Sequence, residues 1–149
     1  MSLAGAVPRL LRGAIAAPFA ITSSAAPSSA GEPVTVTRLL STRTTPSGRP
    51  IALPRHDAQL VVSRFVVAPG ATLPTHMHPW QRYGYVLAGH LRVTLAGTGQ
   101  VFDYGPGDFV VEASNAWHSG AAVGDEPAVL LVIDQVEAGK SNTVLRDAR

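Results

Sequence analysis

From residue 34 onward the chain alternates short apolar runs with turn-forming clusters. Residues 34–40 (VTVTRLL) alternate apolar and polar side chains, the period of a strand with one buried face. Residues 59–67 (QLVVSRFVV) are rich in β-branched side chains and predict a second strand. Further strands are expected at 73–78, 83–87, 91–95, 109–112, 117–122 and 128–134. Between them lie TTPSGRP (44–50), APG (68–70), Ala88-Gly89, AGTGQ (96–100), DYGPGD (103–108) and VGDEP (123–127), all rich in the residues that turns require. The tail, 135–149, shows no clear period, and no stretch holds a helical apolar period over three turns. Many short strands at regular spacing in one domain-sized chain indicate an all-β fold. A small closed barrel is favoured because closure hides strand edges.

Composition narrows the picture. The 149 residues are 46% hydrophobic and 15% charged, with 14 glycines, 12 prolines and no cysteine. Disulfide scaffolds, thiolate metal sites and cysteine nucleophiles are therefore excluded. No apolar run reaches the roughly 18–20 residues of a membrane-spanning helix. Residues 1–33 read differently from the rest: Arg9 and Arg12, then an apolar run over 13–21, then small residues over 22–31. Basic, apolar, then small is the order of a secretory signal peptide, with cleavage after Ala30 fitting best. A flexible N-terminal arm is the alternative. The expected organisation is thus a leader or arm at 1–33, a barrel at 34–140 and a tail at 141–149. A cleaved leader would place the protein in the periplasm or outside the cell; otherwise it is cytoplasmic. The net charge of the chain is +2, and removal of 1–30 takes away two arginines and no acid. The remainder is neutral and carries no electrostatic footprint for nucleic acid or an anionic membrane.

The chemistry lies in the histidines: His56, His76, His78, His90 and His118. His76 and His78 are two apart on an expected strand, so both imidazoles point to one side, and two imidazoles on one face can converge on a divalent ion. His90 at a hairpin and His56 in a loop read as solvent-facing. Trp80, Tyr83, Tyr85, Phe109 and Trp117 read first as packing residues, and Asp108 as the side chain that fixes the turn before its strand. Glu112 reads equally as an inward acid or a solvated strand position.

The wider pattern is more specific. PGATLPTHMHPWQRYGYVLAGHLRV (69–93) is followed, after a short interval, by YGPGDFVVEASNAWH (104–118). This pair resembles the two motifs of the cupin family, G-x5-H-x-H-x(3,4)-E-x6-G and G-x5-P-x-G-x2-H-x3-N. Gly70, His76, His78 and Gly89 fall on the first motif; Gly107, Asp108 and His118 fall on the second. The resemblance spans residues 34–136 and implies a double-stranded β-helix barrel with one metal inside, for which His76, His78 and His118 would be ligands. It also implies a small-molecule ligand and a homodimer formed through outer barrel faces.

The chain departs from the motifs at Arg82, where an acidic ligand is expected, at Ala113 and Asn115 in place of proline and glycine, and at Ala122 in place of asparagine. Guanidinium has no lone pair for a cation, so Arg82 cannot be the missing ligand. Strand parity turns it toward the cavity unless a bulge brings Gln81 inward instead. Two outcomes follow. Three histidines hold a divalent transition metal, iron favoured over Mn, Ni, Cu or Zn, and Arg82 grips an anionic substrate; the protein would then be an oxygenase for a small carboxylate or phenolic compound. Alternatively the arginine repels the cation, and the barrel is a non-catalytic module for an organic ligand without metal.

Overall fold

The computed structural model describes residues 34–147. The expected leader at 1–33 lies outside them. The chain divides into two units, Met1–Val36 and Thr37–Arg149. Nine strands occupy the second: β1 (Ala58–Val67), β2 (His76–Met77), β3 (Arg82–Ala88), β4 (His90–Leu95), β5 (Val101–Tyr104), β6 (Phe109–Val111), β7 (His118–Val123), β8 (Ala128–Glu137) and β9 (Val144–Leu145). They form a four-stranded sheet in the order β1-β8-β3-β6 and a five-stranded sheet in the order β5-β4-β7-β2-β9. All pairings between named strands are antiparallel. This is the jelly-roll, all-β barrel that the sequence pattern implies.

The pleat decides what faces inward. Buried and half-buried residues alternate along β3, β7 and most of β8, as a period of two requires. Val67, Val86, Val110, Leu130 and Val132 of one sheet meet Leu91, Val93 and Ala122 of the other to form the apolar core. Each such side chain contributes roughly 1.5–3 kcal/mol when fully buried. The turn between β3 and β4 needs Gly89, whose φ is +66° and whose missing side chain would overlap the Pro127 carbonyl oxygen.

Several expectations change. Residues 34–40 form no strand; all are exposed and none joins a sheet, so alternation alone did not supply a partner for their backbone groups. The expected strand at 73–78 is regular only at His76–Met77, because Pro74 has no N–H to give to a ladder. Its earlier part still follows β7, with the Leu73 amide donating to the Gly120 carbonyl at 2.7 Å. Two strands were not foreseen. β5 is four residues squeezed between two glycine-rich turns, and β9 falls in the tail, where it pairs with β2.

Candidate metal centre

The short β2 brings the two halves of the site together. His76 on β2 stands directly opposite His118 on β7, and His78, two residues on, is bridged to Ser114. The three rings form a triangle with centroid separations of 4.5, 4.9 and 5.0 Å. Their metal-binding nitrogens all lie within 4.8 Å of one another. All three are buried, His78 completely.

Each ring is oriented by a backbone carbonyl. His76 Nδ1 bonds the Pro74 carbonyl at 2.7 Å, His78 Nδ1 the Asn142 carbonyl at 2.6 Å and His118 Nδ1 the Ala116 carbonyl at 2.8 Å. A carbonyl oxygen only accepts, so Nδ1 carries the proton in every case and Nε2 keeps its lone pair in the neutral ring. The Nε2 atoms of His78 and His118 are buried without a hydrogen-bond partner. An orphaned buried polar atom costs about 1–3 kcal/mol, and two of them aimed at one point in a folded core are accounted for by a cation between them. Burial, reinforced by the Arg82 charge, pushes the His78 pKa down to about 4, and burial lowers His76 as well. Both rings are therefore neutral near neutral pH. Burial pulls His118 in the same direction, but the Glu112 carboxylate beside it prevails and holds its pKa above the usual value.

His78 is anchored by a longer relay. Asn142, in the segment expected as a tail, is buried. Its backbone carbonyl fixes the His78 ring, its side-chain oxygen accepts the Trp80 amide at 2.9 Å, and its Nδ2 donates to Asp134 Oδ1 at 2.6 Å. Asp134 in turn is gripped by Arg82, with Nε–Oδ1 at 2.7 Å and Nη2–Oδ2 at 2.9 Å. The chain Arg82–Asp134–Asn142–His78 sets the position of one ring from three separate strands and loops.

Arg82 does turn inward, on the same face of β3 as the buried positions Gly84 and Val86. Its expected role as a clamp for a substrate carboxylate needs correction, however. Both parallel donors of its fork are already engaged by Asp134, its strand neighbour on β8, and its guanidinium sits 5.5 Å from the Phe65 ring centre. It positions protein groups. Gln81 is also buried, and its side-chain nitrogen ties down the carbonyls of Arg82 and Glu112 at 2.8 and 3.0 Å.

Other sequence readings meet their positions as follows. Asp108 accepts the Gly105 amide at 2.8 Å and closes the turn before β6, as expected. His56 and His90 are exposed and take no part in the cluster. Tyr83 and Phe109 stack at 5.9 Å on the outer face of their sheet, beside an open groove shared with Leu39, Leu40, Ile51 and Val111. Asn115 stands where the second motif has glycine, and its φ of +53° keeps the left-handed backbone that glycine would supply. The sequence reading missed Asp134 and Asn142. Asp134 carries a weak signal, as the first acid after six apolar residues of a buried strand; Asn142 carries none.

Comparison with known proteins agrees with this arrangement. A protein-family model described as the cupin domain matches residues 63–134. Among solved structures, the chain is similar to the polyketide cyclase RemF from Streptomyces resistomycificus, with 25% identity over 62% of this chain and 65% of that one, at a TM-score of 0.51. It is similar to the DMSP lyase DddQ from Ruegeria pomeroyi, with 28% identity over 66% of this chain and 46% of that one, also at 0.51. It is similar, too, to Bacillus subtilis oxalate decarboxylase, a structure described with Mn(II) centres, with 29% identity over 58% of this chain and 23% of that one, at 0.50. The matches span less than two thirds of each of these chains. No curated protein matches. The motif spacing, the jelly-roll sheets and the converging histidines together support a small cupin domain, matched by the family model over residues 63–134, with a site whose donor set fits a divalent metal.

Proposed function

We propose that the protein is a metal-dependent enzyme that acts on a small oxyanionic substrate, a carboxylate or a phenolate, held at an ion bound by His76, His78 and His118. The observation that carries this reading is the fixed tautomer of all three rings, which leaves three Nε2 lone pairs in one tight cluster, those of His78 and His118 buried and unpartnered. A catalytic site keeps coordination positions open for substrate, and an ion that takes more ligands than the chain supplies here does so. When bound, the ion supplies Lewis-acid or one-electron chemistry to an oxygen-donor ligand. Iron suits three imidazoles, and manganese is the rival that the oxalate decarboxylase likeness favours. The oxygenase reading belongs to the same proposal, with iron as its metal.

The chain's own residues prepare the site in two ways. Neutral imidazoles cancel none of the charge of a divalent ion, and the single Glu112 carboxylate beside His118 leaves it net positive, which draws an anion. Asp134 neutralises Arg82, so the buried guanidinium does not oppose the ion with a bare charge. The test is reconstitution of the full chain with Fe(II) or Mn(II) and a panel of small carboxylates and phenols, followed by oxygen uptake and product mass. Metal-dependent turnover that disappears in His76→Ala is expected. A metal-free protein that retains an organic molecule on native mass spectrometry would instead establish the non-catalytic binder. Homodimerisation and export remain part of the proposal; light scattering and the mass of the mature N-terminus check them.

A further inference from the structure

Position 82 raises a question of charge that the histidines do not answer. The cupin pattern has an acidic residue there, and this chain has arginine. The backbone shows where to look for the missing carboxylate. The Glu112 amide donates to the Arg82 carbonyl at 2.9 Å, directly continuing the β3–β6 pairing, in which Gly84 faces Val110. Glu112 is thus the cross-strand neighbour of Arg82 and shares its inward face, two residues beyond the core residue Val110. Its Oε2 is buried with no hydrogen-bond partner, although its carboxylate lies 3.3 Å from His118 Nε2.

That spacing has a definite chemical meaning. It is long for a charge-assisted hydrogen bond, which runs at about 2.7–2.9 Å. Two lone pairs facing each other at this distance repel unless a proton or a metal ion lies between them. Two donor atoms each about 2.1 Å from a single ion, at angles between octahedral and tetrahedral, stand about 3.0–3.4 Å apart. Oε2 of Glu112 and Nε2 of His118 have that separation; the donor atoms that lie within 4.8 Å of one another are those of the three imidazoles alone, so Glu112 reaches the cluster from its His118 side.

We propose that Glu112 is the fourth protein ligand of the metal, so that the acidic ligand has moved one strand sideways, from position 82 on β3 to position 112 at the end of β6. The exchange explains both departures together. Arg82 no longer needs to be acidic, because its neighbour across the ladder is. Glu112 brings the one negative charge of the first coordination sphere. Asp134 on the opposite side of Arg82 cancels the guanidinium, giving a row of alternating charge, Asp134–Arg82–Glu112, across three strands. The site would then present three neutral nitrogens and one carboxylate, with the remaining positions open to substrate.

The inference rests on the three-histidine metal reading, and its test separates the two. The full chain, stripped of metal, is titrated with Mn(II) while free Mn(II) is followed by its EPR signal. Wild type is expected to bind one equivalent and His78→Ala none. Glu112→Gln keeps the shape of the side chain and removes the charge; it is expected to bind at least about 100-fold more weakly, beyond the 10–100-fold typical of an outer-shell partner. Equal affinity of Glu112→Gln and wild type would overturn the role of Glu112 and leave the histidine site standing. Failure of wild type to bind Mn(II), Fe(II) or Co(II) would overturn the site itself. Should Glu112→Gln not fold, Glu112→Asp keeps the charge but shortens the reach by one methylene. Its Co(II) form is expected to show weaker binding and an altered visible spectrum, and a spectrum and affinity both identical to wild type would count against the proposal.

Discussion

The two ends of the barrel interior are made from the same strands and do opposite work. Along β3 the inward positions run Val86, Gly84, Arg82; along β8 they run Leu130, Val132, Asp134; toward and past the end of β6 they run Val110, Glu112. The register sets these side by side: Val86 pairs with Leu130, Gly84 with Val132 and Val110, and Arg82 with Asp134. Each strand therefore passes from apolar to charged at the same level of the barrel. At one end burial stabilises the fold through dispersion and the removal of apolar surface from water. At the other, buried groups are held in place by hydrogen bonds at a cost in desolvation, and the cost is tolerated because it fixes three imidazoles. The pleat supplies only direction; residue type decides whether an inward position packs or reacts.

The contrast can be broken from either end. His118→Ala should abolish stoichiometric metal while leaving the β-sheet circular dichroism of the metal-free chain unchanged. Asp134→Ala strands the buried Arg82 charge and should cost about 3–5 kcal/mol of stability, read by urea unfolding; metal affinity should fall with it, since Asn142 loses its anchor. Leu130→Ala, in the apolar half, should cost about 3 kcal/mol yet still bind one metal ion per folded chain, measured by elemental analysis. Asn142→Ala keeps the carbonyl that bonds His78 but releases both ties of its side chain, so metal binding should weaken about 10-fold, at the low end for an outer-shell partner.

Acid should act on the polar end alone. The His78 pKa is lowered from 6.5 to about 4, so between these values the unfolded chain binds a proton that the folded chain refuses. Its stabilising contribution is complete above pH 6.5 and is lost as pH falls toward 4. His118 is shifted upward and works in the other direction, since its contribution is present below pH 6.5 and fades as pH rises through the folded value. The two therefore act in separate windows, His118 above pH 6.5 and His78, joined by His76, below it. The loss of melting temperature from pH 6.5 to 4 should be smaller in His78→Gln than in wild type.

Much of this was legible in the sequence, and the reasons differ by residue. His76 and His78 declare themselves by spacing, because a strand puts i and i+2 on one face. His118 is found through the glycine-rich turn that precedes its motif. The core strands announce themselves by β-branched residues bounded by turns. Arg82 shows the limit of parity: its inward direction could be read, but its partner Asp134 lies 52 positions away, and only the β3–β8 register brings them together. Asn142 acts mainly through a backbone carbonyl, and a carbonyl has no signature in sequence. Residues 34–40 show the converse error, a strand-like period with no strand beside it to complete the ladder.

Three Nε2 lone pairs that converge on one divalent ion should hold that ion through purification. Elemental analysis of the full chain, purified without chelators from cells supplied with iron and manganese, tests this most directly. About one transition-metal ion per chain is expected in wild type, and a background level in His76→Ala, His78→Ala and His118→Ala. A wild-type protein no richer in metal than its histidine variants would contradict that convergence.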